Sequence, residues 1–458
     1  MNISAKNRLF GTDGIRGTPG EYPLTDGMIF KIGIGIARNL YRRGSRNKRL
    51  SAVIGKDTRA SGGRLEALLT NAVVSQGVDV IPVGSITTPG LSYLTNTLNA
   101  DVGIMISASH NKAEDNGVKL FDGSGCKLSE REEARIEELI FSTFIRAPEA
   151  SSKRAAGKIR RRINARSGYT AFLQSSIEGS NLRGFTVAID CACGATSPFA
   201  KNVFRKLGAR VYCINNRPKG DNINTVGALD PDGLKKFVLE KKADIGIALD
   251  GDGDRGIIID EMGNVIDGDH ILAITACYLL NKDKLPKKTI VATVMSNLGL
   301  RKAISEIGGE IIFTKVGDKH VLEELLKNGL VLGGEQSGHI IFYDLLPTPD
   351  GMLTGLQILK IMKDTSTPLS KLAECMEKFP QILVNIKVRE KRPFESMPEV
   401  SKNLKRFNDH LKNDGRILLR YSGTESLARV MVEGKCRDTI TKMANSLAED
   451  INNEIGIS

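Results

Sequence analysis

The sequence predicts an α/β protein, with three similar α/β domains that contain mixed sheets and a smaller C-terminal α+β domain. The main observation is a recurring pattern, in which a short β-branched run precedes a glycine-containing turn and a helical stretch. The pattern occurs at residues 51–76, 185–207 and 289–307, with helices predicted at residues 59–76, 195–207 and 298–307. Strands that alternate with helices in this way are typical of sheets covered by helices on both faces.

Two further observations support this fold class. A second strand follows each pattern, at residues 78–83, 210–214 and 310–314. The three units begin about 100 residues or more apart, as expected for one unit used three times, although no residue-level repeat connects them. From about residue 379 the order changes to an alternating strand (382–388), a polar helix, two strands (416–421 and 428–434) and a closing helix. That order is typical of an α+β domain.

Composition restricts the class of protein. The chain has 458 residues, of which 41% are hydrophobic and 26% charged, and this is typical of a soluble protein with several domains. No apolar run approaches the roughly 20 residues of a membrane helix, and residues 1–10 lack the apolar core of a signal peptide. We therefore expect a cytoplasmic protein with no membrane partner. The seven cysteines lack zinc-ligand spacing, so we expect them to be reduced and mostly buried.

The net charge of +12 favours an anionic partner. The densest basic run, residues 153–166, has no interleaved aromatic residue and no nucleic-acid-binding signature around it. We interpret this run as a solvated segment between domains, and we expect no nucleic acid partner. The positive charge then suits a small anionic substrate.

A polar loop with a candidate nucleophile follows a short buried strand at residues 104–106. This serine loop, Ser-Ala-Ser-His-Asn at 107–111, places the Ser109 hydroxyl next to the His110 imidazole at a strand end, where α/β proteins usually place their chemistry. The pair alone suggests a nucleophile of a catalytic triad. Lys119 follows soon afterwards, as a candidate acid or base or as an ordinary surface lysine.

Three carboxylates in a tight loop predict a metal site. The metal loop, Asp-Gly-Asp-Gly-Asp-Arg at 250–255, follows an apolar run and places Asp250, Asp252 and Asp254 at alternate positions. Oxygen ligands of this kind suit Mg²⁺. An EF-hand is excluded, because no glutamate occupies the twelfth position and no helix precedes the loop.

Three other loops offer groups that bind anions or hydroxyls. The phosphate loop, Arg-Tyr-Ser-Gly-Thr-Glu-Ser at 420–426 with Arg429 beyond it, has hydroxyls, backbone amides and two guanidiniums that suit a phosphate. The sugar loop, Gly-Gly-Glu-Gln-Ser-Gly-His at 333–339, has the density of donors and acceptors that a polyhydroxy ligand needs. The N-terminal loop at 10–17 ends in Arg16 and its neighbouring glycine, and it does not match a P-loop.

In this order and over nearly the whole chain, the five loops resemble those of the α-D-phosphohexomutase superfamily. The resemblance implies four domains, three of them similar, which agrees with the pattern above. We expect domain boundaries near the basic run, near residues 261–263 and near residues 365–380. Each domain then contains one of the serine, metal, sugar and phosphate loops. In order, the serine, metal, sugar and phosphate loops fall in the predicted domains 1–160, 161–262, 263–375 and 376–458.

The resemblance also implies roles for individual residues. Ser109 would carry a phosphoryl group, and Mg²⁺, one per active site, would be held by that group and by Asp250, Asp252 and Asp254. The remaining catalytic candidates are His110, Lys119 and Arg16. The residues that the resemblance implies for substrate binding are Arg255, Gly317, Asp318, Glu335, Ser337, His339, Arg420, Ser422, Gly423, Thr424 and Arg429.

Within the superfamily, three details are similar to the members that act on glucosamine phosphates. They are the Gly-Thr-Asp-Gly-Ile-Arg-Gly form of the N-terminal loop, Ser107 in place of a common threonine, and Gln336 in place of a common methionine. The implied reaction is an isomerisation of glucosamine 6-phosphate to glucosamine 1-phosphate, with glucosamine 1,6-bisphosphate or a similar bisphosphate as activator. The product would supply UDP-N-acetylglucosamine and cell-wall synthesis.

Some positions depart from the usual superfamily pattern. Lys112, Tyr421 and Ser426 stand where prolines are common, and residues 345–351 differ from the usual Thr-Gly-Asp-Gly. These changes affect the expected loop rigidity and substrate detail, since none removes a charged or hydroxyl group from the chemistry.

Other functions remain open at this stage. The nearest alternative is a phosphomannomutase or phosphoglucomutase with the same chemistry and another hexose. A serine-and-metal phosphatase and a phosphosugar-binding protein are further alternatives. We expect a small phosphosugar as the partner in each of the enzyme cases, and a homodimer is the assembly to test.

Overall fold

The computed structural model describes residues 9–11, 13–43, 49–142, 155–162, 164–412, 414–422 and 426–457. The chain divides into two compact units. The first combines Met1–Val294 with Ile311–Glu374, and the second combines Met295–Glu310 with Cys375–Ser458. Within the described residues, no helix is both long enough and apolar enough to cross a membrane.

The first sheet of the first unit has the order β1-β5-β4-β2-β3. Its strands are β1 (Ile15–Gly17), β2 (Ser51–Lys56), β3 (Asp79–Ser85), β4 (Val102–Ile106) and β5 (Asn116–Asp122). Strand β2 pairs in parallel with β3 and β4, whereas β5 pairs antiparallel with β4 and β1. The helices of this region are α1 (Asp26–Arg42), α2 (Gly62–Ser75), α3 (Thr88–Thr97) and α4 (Glu130–Ser142). All residues of β4 are buried, as expected for a central strand covered on both faces.

The second sheet repeats this arrangement in the order β10-β9-β8-β6-β7. Its strands are β6 (Thr186–Asp190), β7 (Arg210–Ile214), β8 (Ile245–Leu249), β9 (Gly256–Asp260) and β10 (Val265–Ile266), and its helices are α5 (Ala165–Ser175), α6 (Ala200–Lys206) and α7 (Asp232–Lys241). Helix α6 begins at Ala200, so the predicted helix 195–207 is too long at its start. Turns that include the Ser197 N–H to Gly194 carbonyl bond occupy that stretch, and Pro198 interrupts it.

The third sheet has the order β12-β11-β13-β14. Its strands are β11 (Thr289–Thr293), β12 (Glu310–Thr314), β13 (Leu332–Gly334) and β14 (Ile340–Phe342), with helices α8 (Gly268–Asn281), α10 (Asp318–Asn328), α11 (Gly351–Thr365) and α12 (Leu369–Ala373). Parallel and antiparallel neighbours occur together in each of the three sheets of the first unit. The predicted mixed sheets are therefore confirmed.

The second unit contains an antiparallel sheet with the order β15-β17-β16. Its strands are β15 (Gln381–Lys387), β16 (Gly415–Tyr421) and β17 (Leu427–Gly434), and its helices are α9 (Leu298–Glu306), α13 (Pro398–Leu411) and α14 (Arg437–Ile455). Asn297 joins the two segments of this unit, because its amide exchanges two 2.9 Å hydrogen bonds with the backbone of Phe379.

None of the seven cysteines forms a disulfide. The expectation that most of them are buried is wrong, since only Cys191 and Cys193 are buried and Cys436 is exposed. The others lie at intermediate depth.

Candidate active site

The serine loop begins where β4 ends. Ser109 is 1% exposed, and its hydroxyl donates a 3.1 Å hydrogen bond to Asp250 Oδ2 and lies 3.4 Å from His110 Nδ1. Its backbone is left-handed, with a φ of +52°. That conformation is uncommon for a residue with a side chain, so the surrounding structure must hold it in place.

The side chain of Ser107 holds Ser109 from within the loop. The Ser107 hydroxyl accepts the Ser109 N–H at 2.9 Å and donates to Asp57 Oδ2 at 2.6 Å. Asp57 in turn forms a 2.9 Å ion pair with Arg59, and both side chains are fully buried. Ser107 is itself 0% exposed, and the two hydrogen bonds of its hydroxyl serve the conformation of the loop.

Two residues that the sequence reasoning missed hold the carbonyl groups of this loop. Arg59 donates to the Ser109 and Asn111 carbonyls at 3.0 and 2.8 Å, and the Asn224 amide donates to the same two carbonyls at 2.6 and 2.9 Å. The signal for Arg59 was available, because Asp57 and Arg59 follow β2, a parallel neighbour of β4, and such strand ends meet at one sheet edge. Nothing local indicated Asn224.

The metal loop connects β8 with β9, next to the serine loop. Asp250, Asp252 and Asp254 are all buried, and one carboxylate oxygen of each lies within 4.8 Å of the others. Asp252 Oδ1 is buried and has no hydrogen-bond partner in the described part of the chain. Such an atom is costly unless a ligand satisfies it. Three hard oxygen donors with one of them open fit a Mg²⁺ ion.

Charge repulsion within the metal loop also favours a bound cation. Burial, and next the neighbouring Asp254 and Asp252 carboxylates, raise the pKa of Asp250 well above its ordinary value. A divalent cation would offset this repulsion. The Lys119 ammonium offsets part of it, at 2.9 Å from Asp252 Oδ2 and 3.3 Å from Asp254 Oδ2.

Lys119 is a buried member of this charge cluster and not a surface lysine, since it is 2% exposed. It also contacts Asp13 Oδ2 at 2.8 Å. Burial disfavours its charged form, but Asp13, Asp252 and Asp254 outweigh that effect and hold the pKa of Lys119 well above its ordinary value. The side chain is therefore a cation at neutral pH.

The sugar loop connects β13 with β14 and reaches the metal loop through His339. His339 Nε2 lies 3.2 Å from Asp254 Oδ1, and Nδ1 lies 2.8 Å from Glu335 Oε2. Burial lowers the pKa of His339, but Asp254 and Glu335 outweigh it and raise this pKa to about 10. A charged His339 donates to both carboxylates. Arg255 Nε, 3.1 Å from His339 Nε2, is then a like charge and not a hydrogen-bond donor.

The other residues of this loop differ in exposure. Glu335 is buried, and its Oε1 accepts the Gly317 N–H at 2.8 Å. This bond fixes the residue before α10 against the sugar loop. Ser337 is exposed, so its hydroxyl is accessible to a ligand.

His110 lies beside the Ser109 hydroxyl, and Arg16 contacts the same loop at Asn111. Burial, and next the charges of Arg255 and Arg16, lower the pKa of His110 to about 4. His110 is therefore neutral at pH 7 and has a lone pair for a proton. Arg16 donates to Asn111 Oδ1 at 3.0 Å and contacts Asp13.

An ion pair between Lys127 and Asp318 engages one residue that was expected to bind sugar. Lys127 contacts Asp318 Oδ2 at 2.7 Å and Asp13 Oδ1 at 2.6 Å. The Asp318 carboxylate is thus paired with a lysine. Gly317 is the residue just before α10. Sequence reasoning missed both Lys127 and Asp13, although Asp13 lies in the N-terminal loop that it singled out.

The phosphate loop lies in the second unit. Arg420 in β16 and Arg429 in β17 are directly opposite each other. Burial and the Arg429 charge lower the pKa of Arg420, whose Nε has no hydrogen-bond partner among the described residues. Like charges at this position are unfavourable unless an anion lies between them. The Ser422 N–H bonds the Leu427 carbonyl at 2.9 Å.

Two predicted phosphate-binding residues, Gly423 and Thr424, lie outside the described residues. Their predicted contribution rests on the sequence alone.

Comparison with known proteins identifies the class. Four models of the phosphoglucomutase/phosphomannomutase family match the chain: alpha/beta/alpha domain I at residues 7–145, domain II at 167–263, domain III at 267–379 and the C-terminal domain at 383–450. With these matches, the fold and the paired serine and metal loops define a phosphohexose mutase: the chain belongs to the phosphoglucomutase/phosphomannomutase family.

Individual relatives narrow the comparison. The chain is 47% identical to a phosphoglucosamine mutase of Geobacter metallireducens, covering 98% of this chain and 99% of the relative. It is also 47% identical to a phosphoglucosamine mutase of Geotalea uraniireducens, covering 98% of each. A solved structure of a phosphoglucomutase/phosphomannomutase family protein from Burkholderia thailandensis has a TM-score of 0.80 at 22% identity, covering 98% of this chain and 99% of that one. The predicted family and fold class are confirmed.

Proposed function

We propose that this protein interconverts glucosamine 6-phosphate and glucosamine 1-phosphate through a phosphorylated Ser109 and a bisphosphate intermediate. The observation that carries the proposal is the Ser109 hydroxyl 3.1 Å from Asp250, within the carboxylate cluster. The choice of hexose rests on the relatives, since those at 42–47% identity over nearly the whole chain are phosphoglucosamine mutases. The product would feed UDP-N-acetylglucosamine and cell-wall synthesis.

Asp250, Asp252 and Asp254, with an oxygen of phosphorylated Ser109, would hold one Mg²⁺. When bound, this ion offsets negative charge on the phosphoryl group during its transfer. The open Asp252 Oδ1 and the raised pKa of Asp250 both support a divalent cation at this position.

Two phosphoryl transfers complete the reaction. In the first, the O1 atom of glucosamine 6-phosphate attacks the Ser109 phosphorus, the bond from Ser109 Oγ to phosphorus breaks, and the net proton transfer is from O1 to Ser109 Oγ. The product is glucosamine 1,6-bisphosphate, which then turns around in the site. In the second, Ser109 Oγ attacks the phosphorus of the 6-phosphoryl group, the bond from the sugar O6 to that phosphorus breaks, and the net proton transfer is from Ser109 Oγ to O6. Glucosamine 1-phosphate then leaves.

The residues around Ser109 supply the remaining groups. His110 Nδ1, 3.4 Å from Ser109 Oγ, is placed to hold the proton that Ser109 gains and loses. The cations Arg16, Lys119 and Arg255 lie around this point and would attract the phosphoryl oxygens. Their charge complements that of a phosphosugar, and this agrees with the net charge of the chain.

The rest of the predicted site would bind the two ends of the substrate. Glu335 and Ser337 would hold ring hydroxyls that are common to both orientations of the bisphosphate, and His339 would orient Glu335 for this task. Arg420, Ser422 and Arg429, with Gly423 and Thr424, would bind the phosphate that is not reacting. Arginine pairs suit this task because a guanidinium can bind phosphate with two parallel hydrogen bonds.

A mutase assay with three sugar 6-phosphates and Mg²⁺ tests the proposal. We expect the highest kcat/KM with glucosamine 6-phosphate and no turnover with EDTA. Ser109→Ala should be inactive, whereas Ser175→Ala, an exposed serine on α5, should match the wild type. A higher kcat/KM with glucose or mannose 6-phosphate would favour the phosphoglucomutase or phosphomannomutase alternative.

The wild type and Ser109→Ala also test the two remaining alternatives, a phosphatase and a phosphosugar-binding protein. A phosphatase would release inorganic phosphate from the substrate without forming the isomer. A binding protein would carry no phosphate on Ser109, whereas the proposed enzyme should show a mass increase of about 80 Da that the Ser109→Ala variant lacks. A homodimer is also part of this proposal, and sedimentation of the full chain would test it.

A further inference from the structure

Tyr169 of α5 is fully buried and takes no part in the chemistry proposed above. Its ring lies beside Tyr93 and Phe199, with ring centroids 6.0 and 5.9 Å apart. Its hydroxyl donates to Asp350 Oδ2 at 2.5 Å. Burial and next the Asp350 charge raise the pKa of Tyr169 well above its ordinary value, so the hydroxyl stays protonated.

Tyr169 contacts two helices whose starts are capped. Thr87 caps α3 by accepting the Gly90 N–H at 3.1 Å, and Asp350 caps α11 by accepting two N–H groups at 2.9 and 3.0 Å. Such caps satisfy amide groups that a helix start would otherwise leave unpaired. The Tyr169 ring packs against Tyr93 of α3, and its hydroxyl bonds the Asp350 cap of α11.

The two helix starts hold the metal loop from either side. The Thr88 N–H donates to the Asp252 carbonyl at 2.9 Å, and the Thr88 hydroxyl donates to Asp252 Oδ2. The Gly351 N–H donates to the Gly253 carbonyl at 3.0 Å. The approach at Gly351 is close, because a Cβ there would lie 2.2 Å from the Arg255 carbonyl oxygen. A small shift of either helix would consequently move the loop.

We propose that Tyr169 is a positioning residue for the metal loop. By packing its ring against α3 and bonding the cap of α11 through its hydroxyl, it keeps the two helix starts at the separation that places the Asp252 carboxylate beside those of Asp250 and Asp254. This inference rests on the proposed function, in which these three carboxylates hold Mg²⁺. Tyr169 touches neither the ion nor the substrate in this arrangement.

The test is Mg²⁺ binding by the full chain without substrate, measured by calorimetry and by the rise in Tm with Mg²⁺ concentration. Tyr169→Phe keeps the ring and removes only the hydroxyl. We expect its dissociation constant for Mg²⁺ to rise roughly three- to tenfold, the range that one lost hydrogen bond produces. Tyr93→Phe is the matched control, since it removes a hydroxyl from the neighbouring ring of the same aromatic group, and it should bind Mg²⁺ as the wild type does.

Activity gives a second readout that a loss of packing alone would not produce. For Tyr169→Phe, the Mg²⁺ concentration for half-maximal turnover should rise by the same factor, while the KM for glucosamine 6-phosphate stays within about twofold.

Two results would overturn this inference while leaving the proposed function intact. One is wild-type Mg²⁺ affinity in Tyr169→Phe, and the other is an equal loss of affinity in Tyr93→Phe. A wild-type protein that binds no Mg²⁺ would overturn the proposed function together with this inference.

Discussion

Asn224 holds the serine loop from the second sheet, and replacing it with glycine should slow the reaction without unfolding the protein. Its amide donates to the Ser109 carbonyl at 2.6 Å and to the Asn111 carbonyl at 2.9 Å. Glycine is the appropriate replacement because Asn224 has a φ of +58°, where alanine would add backbone strain. The change therefore removes the amide and leaves the backbone conformation accessible.

The size of the effect follows from the two hydrogen bonds. Each is worth about 1 kcal/mol net, so the variant loses about 2 kcal/mol of restraint on the loop. The left-handed conformation of Ser109 costs about 1–3 kcal/mol, so a loss of this size is enough to let the loop relax. If the whole loss appears in the transition state, kcat falls about 30-fold. Arg59 still holds the Ser109 carbonyl, so the activity should not vanish.

The assay is the Mg²⁺-dependent mutase reaction at saturating glucosamine 6-phosphate and activator. Asn222→Ala is the matched control: its amide donates to Cys193 Sγ and the Arg217 carbonyl in the same segment, away from the serine loop. This control should keep wild-type kcat. A kcat for Asn224→Gly within about twofold of the wild type, with the protein folded and Ser109 phosphorylated, would refute the reasoning.

Three further changes test other parts of the molecule. Ser107→Ala should lower kcat about tenfold because it removes the hydroxyl that holds the Ser109 N–H, and Ser107→Thr should retain activity in the same assay. Burial raises the pKa of Asp350 from 3.8 to about 6; its contribution to stability is therefore complete below pH 3.8 and is lost as the pH rises through 6. In denaturant unfolding from pH 4 to 7, the free energy of unfolding of the wild type should fall by about 3 kcal/mol relative to that of Asp350→Asn. Parallel curves for the two proteins would contradict this prediction. Arg420→Met should raise the KM for the phosphosugar at least about tenfold with little loss of Tm, because Arg429 opposite it is a like charge; an unchanged KM would exclude a phosphate role for Arg420.

The fold class could be predicted because its signals are local. A buried central strand such as β8 reads as a continuous apolar run, and the following loop of glycines and carboxylates is visible without any knowledge of the fold. The predicted start of α6 was wrong, since the turns before it depend on how Gly194 packs against Gly251 of the metal loop. The predicted domain boundaries stay a prediction.

The residues that support the site could not be predicted in the same way. Ser109 contacts Asp250, which is 141 positions away in the chain, and Tyr169 contacts Asp350, which is 181 positions away. Ser107 illustrates the difference. Its type indicated the superfamily members that act on glucosamine phosphates, and only the structure shows that its buried hydroxyl links Asp57 to the serine loop.

The sequence by itself determined the fold class, the family and the chemical groups of the site, because alternating carboxylates converge within a single loop whatever surrounds them. Only the tertiary structure decided which groups hold the serine loop and the metal loop in place. Parallel sheets bring the ends of distant strands and helices to one edge, and residues such as Arg59, Asn224 and Tyr169 act through backbone and side-chain contacts that no local pattern encodes. Likewise, the charge of Lys119 and the neutrality of His110 follow from burial and from neighbours that are remote in the chain.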